Sequence, residues 1–462
     1  MALVLGIPAS IQELNQQGLI ERAFHDGLYP NLAFRAEAPW EEWPANTGTE
    51  LFIPRPGLLT PVVSPITPGS DPIPQTVPFE QWVARLGQIA SAIDTHMPTS
   101  VTSNANLFIR YIHQLGLQAG QSINRVARNA LFQSYLSGQT TAINAALAGD
   151  SQLHVSSLNG FTDVVVPSGN VRPQPVSAAF PLPVTIYLGT PITRNVIGAI
   201  PDSPNDPNGP GTLQFSATFG AGVPARTAVV SRYAPTVVRA AGGFSVDAIS
   251  AADTFTLQLA INAVAQLRSH NVQPHEDGFY HAHIHPLANA QLFADPVFQR
   301  LNQSLPEHVT YKEGFVGSIS QILFYMNTEA PVVQNCGTRT STGTKAFYSP
   351  EIAAETTNES GVNIGRIIIT GRGAMYEKGL DESQLVTEAG VTGKIGEFDV
   401  VNNGLSVMTD RIRLILRAPL DRLQQIVSAA WSITTSFPIP SDVTAPSGSQ
   451  RFKRAQVIEF AG

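Results

Sequence analysis

Residues 101–138 read VTSNANLFIRYIHQLGLQAGQSINRVARNALFQSYLSG, and this stretch decides the fold. Its apolar side chains recur at steps of three and four residues, at Phe108, Ile112, Leu115, Ala119, Ile123, Val126 and Ala130. Such spacing places them in one stripe along an α-helix. Polar side chains occupy the opposite face, among them Asn124 and Arg128. The sequence therefore predicts one long amphipathic helix.

The ends and the interior of this helix carry their own signals. Ser103 or Asn104 can cap its start, and Gly138 stands where a helix usually ends. Gly116 and Gly120 are expected to weaken or bend it. At about 1.5 Å per residue, about 35 residues reach about 50 Å. Because no other segment predicts a helix of that length, we interpret it as a spine for packed sheets; the alternative is one member of a helical bundle.

Composition limits the class of protein. The chain has 462 residues, a length that predicts roughly two to four domains. Charged residues make up 14%, against roughly 25% in ordinary soluble domains, so we expect other chains to cover much of the surface. The net charge of −7 argues against binding nucleic acid through a basic surface.

Signals for redox chemistry and targeting are few. One cysteine, Cys336, excludes an internal disulfide and a cysteine-based zinc site. No apolar run approaches the ~18 residues of a membrane-spanning helix, and the first residues lack the basic and apolar segments of a signal peptide. We therefore expect a protein of a reducing, soluble compartment with no membrane partner.

Residues 47–80 differ in composition from the rest of the chain, because they are rich in proline. Prolines punctuate this segment at Pro54, Pro56, Pro61, Pro65, Pro68, Pro72, Pro74 and Pro78. Between them lie the apolar residues Leu51, Phe52, Ile53, Leu58, Leu59, Val62, Val63 and Ile66. Proline fixes φ and removes a backbone donor, so the segment predicts an extended hairpin with its tip near residues 68–72.

An apolar hairpin that prolines hold stiff loses little entropy when it binds a partner. We therefore interpret residues 47–80 as an intersubunit arm, with the apolar residues above as its contacts. The alternative is a flap that folds over its own domain.

The rest of the chain mixes strands and helices. Residues 151–246 predict short strands between Gly- and Pro-rich turns, typical of a small sandwich or barrel. Further on, the patterns predict helices at 253–269 (capped by Ser250 and Asp253), from Pro286, from Pro296 and around 420–431. They predict strands at 277–285, 315–327, 364–370, 411–417 and 451–460.

One strand offers a candidate metal site. His281, His283 and His285 alternate along it, which predicts three imidazoles on one face, and Glu276 and Asp277 could add carboxylates. His-x-His is a known metal-binding pair in β-proteins. The alternative is a polar strand face that packs on arginines, water or a neighbouring chain. A metal-dependent β-barrel enzyme therefore stays open as a function.

Other searches for chemistry find nothing. The sequence contains no complete dinucleotide fingerprint, phosphate loop or Gly-x-Ser-x-Gly elbow. We therefore predict no catalytic residue, no cofactor and no enzyme activity. The pattern favours an assembly protein.

Two blocks of sequence carry a resemblance to a family. One is EQWVARLG at 80–87 with DTHMP at 94–98, and the other is GFYHAHIHP at 278–286 with LFADPVF at 292–298 and GFVG at 314–317. With the order arm, hairpin, long helix, β-rich region, mixed region and return strands, the chain resembles the major capsid proteins of tailed bacteriophages, the Hong Kong 97-type fold.

The resemblance implies an α+β fold. Its parts would be an N-terminal arm (1–46), an extended loop (47–80), a peripheral domain (81–150 and 401–462, with the spine at 101–138), an inserted β-rich domain (151–246) and an axial domain (247–400). It implies that subunits assemble through hexamers and pentamers into an icosahedral shell around double-stranded DNA. Another virion structural protein, of a tail or an adhesion module, is the alternative within this class.

Departures from the family pattern refine these expectations. The extended loop holds no lysine, which cross-linking members use there for an isopeptide bond, so we expect a non-covalent shell. No cleavable scaffold segment stands at the N-terminus, so we expect a separate scaffolding protein. The resemblance also implies a portal protein, leaves room for a decoration or cement protein, and predicts DNA enclosed without sequence-specific binding. The expected location is the virion, after assembly in the host cytoplasm.

Overall fold

The computed structural model describes residues 18–28, 32–44, 47–56, 59, 61–67, 69–72, 74–77, 79–96, 107–165, 173–303, 318–333, 362–382, 391–395, 398–401, 404–417, 423, 425–443 and 450–462. The chain forms two compact units. The first unit comprises Met1–Leu51, Val83–Arg128 and Met375–Pro438, and the second comprises Phe52–Trp82, Asn129–Ala374 and Ile439–Gly462.

In the described part of the chain, a few α-helices separate long runs of β-strands. The α-helices of the described residues are α1 (Leu19–Leu28), α2 (Leu107–Tyr135), α3 (Leu257–Ser269), α4 (Pro286–Ala294) and α5 (Pro296–Gln303). The strands are β1 (Trp40–Glu42), β2 (Glu50–Pro56), β3 (Phe79–Arg85), β4 (Gly87–His96), β5 (Gln139–Thr141), β6 (Gln152–Val155), β7 (Asp163–Val164), β8 (Gln174–Pro175), β9 (Leu182–Tyr187), β10 (Ile192–Pro201), β11 (Gly211–Phe215), β12 (Ala228–Ser231), β13 (Val237–Arg239), β14 (Tyr280–Ile284), β15 (Ser318–Ile319), β16 (Ile322–Met326), β17 (Val332–Val333), β18 (Ile364–Thr370), β19 (Glu377–Gly379), β20 (Val391–Ile395), β21 (Phe398–Val401), β22 (Gly404–Thr409), β23 (Ile412–Arg417), β24 (Ile426–Ser436) and β25 (Ala455–Ala461). The α+β class is confirmed. In the described part of the chain, no helix has the length and apolar character needed to cross a membrane.

The first unit is built on an eight-stranded sheet of order β1-β19-β24-β23-β22-β21-β20, and β4 pairs with β24 on the side opposite β23. On β23, Ile412, Leu414 and Leu416 are buried while Arg413 and Arg417 face the other way, as the alternation predicts. The helix predicted around 420–431 is wrong. Residues 426–436 form β24, because pairing with β23 and β4 on both sides satisfies its backbone.

The long helix is confirmed over Leu107–Tyr135, 29 residues, and Gly138 follows it with a left-handed φ of 73°. The predicted caps at residues 103 and 104 lie outside the described residues. The buried stripe begins as predicted and then continues in steps of four to Ala127 and Leu131, so Val126 is exposed.

Two polar side chains of this helix are buried against expectation. Asn124 and Arg128 are almost fully enclosed, because the stripe drifts onto their side of the helix. Asn124 Oδ1 accepts a hydrogen bond from the Phe34 N–H at 2.7 Å, which satisfies the amide without water.

Gly116 lies where α1 packs against α2, and the helix runs through it without interruption. A Cβ at this position would lie 2.3 Å from the Phe24 carbonyl oxygen, and one at Gly27 would lie 2.5 Å from the His113 carbonyl oxygen. The two glycines therefore allow backbone contact between the helices. This close approach outweighs the weak helix propensity of glycine.

Replacing Gly116 with alanine is expected to destabilise the first unit by about 2 kcal/mol, because the added methyl must displace the backbone of α1. In an open helix the same change would stabilise by up to about 1 kcal/mol. Urea unfolding followed by circular dichroism measures the difference. Gln121→Ala, at an exposed position of α2, is the control and should be near neutral. A Gly116→Ala variant as stable as the parent would contradict the close contact.

The second unit contains two larger sheets. The first has the order β5-β12-β9-β10-β11-β6 and buries one face, with Val184, Ile186 and Leu213 in its core. The second has the order β13-β25-β18-β14-β16-β15, with β17 beside β18, and helices α3, α4 and α5 contribute to its core. The first sheet begins at Gln139, twelve residues before the predicted β-rich segment. The division of the chain into capsid domains stays a prediction.

Asp295 supports two helix starts. Its Oδ1 accepts from the Val297 N–H at 2.9 Å, as the Asp-Pro pattern predicts for α5, and its Oδ2 accepts from the Leu257 N–H at 2.9 Å at the start of α3. The capping box predicted from Ser250 and Asp253 is wrong as a helix start. These two residues hydrogen-bond at 2.7 Å in a turn that ends before α3.

Candidate subunit interface

The arm is a hairpin whose root strands, β2 and β3, pair with each other. A turn follows where the sequence places the tip: the Ser70 N–H donates to the Thr67 carbonyl at 3.1 Å, and Gly69 has a φ of 89°. Positive φ is the conformation that glycine adopts without strain. The tip therefore reverses the chain through local bonds.

The predicted contact residues divide into two groups. Leu51, Phe52 and Ile53 lie in β2 and are half-buried. The outer group is exposed: Leu59 by 50%, Val62 by 73%, Val63 by 89% and Ile66 by 56%. Leu58 lies outside the described residues.

The exposed apolar side chains of the arm would contribute binding free energy if a partner surface covered them. Burying a fully exposed side chain of this size contributes roughly 1.5–3 kcal/mol. Because these four side chains are 50–89% exposed, covering them would contribute roughly 4–8 kcal/mol before ordering costs. Contiguous exposed apolar surface of this kind usually marks a binding site. We call the part of the arm with Leu59, Val62, Val63 and Ile66 the outer arm, and it is the candidate interface.

The root of the arm is held by charge. On β2, Arg55 Nη1 forms an ion pair with Asp442 and donates to the Ser441 carbonyl at 3.0 Å. Arg454 Nε reaches the same carboxylate oxygen at 3.3 Å. On β3, the buried Glu80 accepts from a backbone N–H of the same segment. Both strands of the root thus attach to residues 441–454.

Two further cations, Lys453 and Arg451, interact with Glu80 at the root of the arm, and burial shifts the pKa of each. Burial lowers the pKa of the Lys453 ammonium; the carboxylate of Glu80 opposes this effect, and the charge of Arg55 adds to it. Burial likewise lowers the pKa of the Arg451 guanidinium, and Asp163 and Glu80 oppose it. Glu80 therefore balances two buried cations at the root of the arm.

The three histidines of the metal hypothesis do not share one environment. His281 and His283 lie on one face of β14, where both rings pack against Tyr325 at centroid distances of 5.1 and 5.7 Å. His285 lies beyond the strand, and its Nδ1 accepts from the Leu287 N–H at 3.2 Å to cap α4. The prediction of three imidazoles on one face is wrong for His285, because the helix starts at the next residue.

Hydrogen bonding and stacking also engage this strand. His281 Nε2 lies 2.8 Å from Asp277 Oδ2, and the ring of His275 stacks on His281 at 4.0 Å. Desolvation raises the pKa of Asp277, but hydrogen bonds from the Phe279 N–H and His281 outweigh it, so the pKa lies below its ordinary value. The ligand atoms of His281, His283 and His285 do not lie within 4.8 Å of one another. The three residues therefore do not form a ready metal site.

Sequence reasoning missed other exposed apolar side chains. In the second unit they include Leu147, Phe180, Ile200, Phe244, Leu287, Val297 and Met326. Each stands singly in a loop or at an element end, so no periodic pattern signals it. The arm could be found because its apolar residues cluster between prolines.

No protein-family model matches the sequence. No curated protein matches it either.

The chain is similar in structure to solved phage capsids. One is the capsid asymmetric unit of cyanophage Pam1, with 7% identity over 95% of this chain and 92% of that chain and a TM-score of 0.48. A second is the capsid of Ralstonia phage GP4, with 11% identity over 91% and 87% and a TM-score of 0.45. A third is the capsid of cyanophage P-SCSP1u, with 11% identity over 93% and 88% and a TM-score of 0.44.

Proposed function

We propose that this chain is the major capsid protein of a tailed phage. Its copies assemble through hexamers and pentamers into an icosahedral shell that encloses double-stranded DNA. The observation that carries the proposal is the arm, whose exposed apolar side chains need a partner surface. A closed shell requires contacts of one copy with several neighbours, and an arm with exposed apolar side chains would supply one.

The long helix and the large sheets support the same function. Residues 81–150 and 401–462, with helix α2, would form the peripheral domain, and residues 247–400 would form the axial domain. Residues 151–246 would be the inserted β-rich domain. Leu51, Phe52, Ile53, Leu58, Leu59, Val62, Val63 and Ile66 would contact the neighbouring subunit.

Charge supports the role as a container. A net charge of −7 and a charged fraction of 14% suit a wall that holds DNA without sequence-specific binding. The partners we propose are further copies of the chain, a separate scaffolding protein, a portal and a decoration or cement protein. The protein would be assembled in the host cytoplasm and reside in the virion. Its role would be structural rather than catalytic.

Electron microscopy tests the proposal. The protein, expressed alone and together with the scaffolding protein of its phage, should form closed shells or hexamer sheets in negative stain. A stable monomer under both conditions would overturn the proposal. Fibres or tail-like tubes instead of shells would favour another virion structural protein.

Metal analysis separates the shell protein from the metal-enzyme alternative. We expect less than about 0.1 zinc or iron per purified chain, unchanged in a His281→Ala, His283→Ala, His285→Ala variant, because the three ligand atoms do not converge. Stoichiometric metal that the triple variant loses would favour the enzyme.

A further inference from the structure

We propose that residues 61–67 of the arm pair as an added strand with the outer edge of β4 in a second copy of this chain. This inference rests on the proposed function, because it names the surface that receives the arm. Strand addition uses backbone hydrogen bonds, so it needs an open sheet edge and a segment that can remain extended.

Strand β4 provides the open edge. It pairs on one side with β24 over ten residues, from the Gly87–Thr435 pair to the His96–Ile426 pair, without a bulge. On its other side, residues 87–95 have no backbone hydrogen-bond partner among the described residues. In an antiparallel sheet, about half of the N–H and C=O groups of an edge strand point to that side.

This edge lacks the devices that usually protect one. Natural edge strands are shortened, bulged, or carry lysine or proline. Strand β4 has ten residues, GQIASAIDTH, with neither lysine nor proline. Its exposed side chains include the small Ala90 and Ala92, which leave room for another chain alongside. Such an edge in an assembling protein is a template for pairing.

The outer arm provides the strand. Residues 61–67 are all exposed, and no helix or strand includes them. In an extended chain, successive N–H groups point to opposite edges. Pro61 and Pro65 are four residues apart, so both missing donors lie on the same edge. Once the segment is extended along a partner strand, the N–H groups of Val62, Ser64 and Ile66 would all point to the other edge.

The segment can therefore pair on one edge only. A one-sided strand completes a sheet and then terminates it, which suits a contact that must occur once per subunit. Its seven residues span about 23 Å, within the length of β4. It carries no charged side chain, and β4 carries only Asp94, so no like charges oppose the pairing.

Proline placed on either edge tests this geometry. Ser64→Pro removes a donor from the pairing edge, while Val63→Pro removes one from the edge already blocked by proline. We expect Ser64→Pro to reduce the yield of closed shells at least tenfold relative to Ser64→Ala. Val63→Pro should remain within about twofold of Val63→Ala. Both positions are exposed, so the subunit should fold in each variant, and its thermal melting checks this.

Cross-linking tests which copy supplies the edge. In a Cys336→Ser background, Ser64→Cys is combined in turn with Gln88→Cys, Ala90→Cys and Ala92→Cys, and the particles are oxidised. At least one pair should give dimers and larger species on a non-reducing gel, and Ser64→Cys alone should not. A cross-link at monomer mass would place the arm on its own edge and overturn the inference.

The outcomes distinguish failure of the strand-addition inference from failure of the proposed capsid function. If removal of the arm abolishes shells while Ser64→Pro and Val63→Pro behave alike, the arm binds a neighbour by its side chains and strand addition is wrong. If shells form even without the arm, the proposed role of the arm is itself wrong.

Discussion

A variant that lacks residues 60–75 should fold normally and fail to form shells. The deletion removes Val62, Val63 and Ile66, whose exposure means that the subunit does not use them for its own core. Their burial on a neighbour would contribute several of the roughly 4–8 kcal/mol estimated for the outer arm. Loss of that contribution should raise the subunit concentration needed for assembly by more than 100-fold. Sedimentation velocity and negative-stain microscopy measure the assembled fraction.

A matched control separates the apolar contact from the length of the arm. Val62→Ser, Val63→Ser and Ile66→Ser in one chain keep the length and the prolines but remove most of the apolar surface. This variant should assemble as poorly as the deletion, with a melting temperature within about 2 °C of the parent because the changed side chains are exposed. A deletion variant that still closes into particles would contradict the assignment of the arm. A deletion variant that unfolds would show instead that the arm is a flap on its own unit.

The sequence correctly predicts the elements whose buried residues recur with a single period along the chain. Helix α2 and strand β23 show this, because each buries a single stripe or a single face. The sequence does not predict strand β24, because its apolar residues fit a helix as well as a strand. Only pairing with the neighbouring strands decides between the two. The alternation predicts a strand up to His285, but the strand ends at Ile284, because Pro286 starts helix α4 and His285 caps it.

The buried charged residues could not be predicted from the spacing of apolar residues. Arg366 and Glu459 are both about 1% exposed, although a hydrophobicity pattern assigns such residues to the surface. Arg366 is 93 residues from Glu459 along the chain, and Arg239 is 220 residues from Glu459. Only the order of strands β13, β25 and β18 brings the three together. The same holds for the charged root of the arm, where Arg55 meets a partner 387 residues away.

Replacing Glu459 with glutamine should destabilise the second unit by about 3–5 kcal/mol. The carboxylate accepts from Arg239 Nε at 2.8 Å and from Arg366 Nε at 3.0 Å, and all three side chains are buried. Glutamine keeps the shape but leaves two guanidinium groups without an anion in a low-dielectric core. Urea unfolding of dissociated subunits measures the loss. Glu276→Gln removes an exposed ion pair to Arg372 and should change stability by less than about 1 kcal/mol.

The dependence of this loss on pH identifies its cause. Burial raises the pKa of Glu459, but the charges of Arg239 and Arg366 and their hydrogen bonds outweigh it, so the pKa in the folded state lies below the ordinary 4.5. A depressed pKa stabilises the fold above the ordinary value, and this contribution is lost as the pH falls from about 4.5 through the folded-state pKa. The difference in unfolding free energy between parent and Glu459→Gln should therefore be constant from pH 7 to 5 and shrink below about pH 4.5. If the difference stays the same down to pH 3, lost packing rather than lost charge explains the destabilisation.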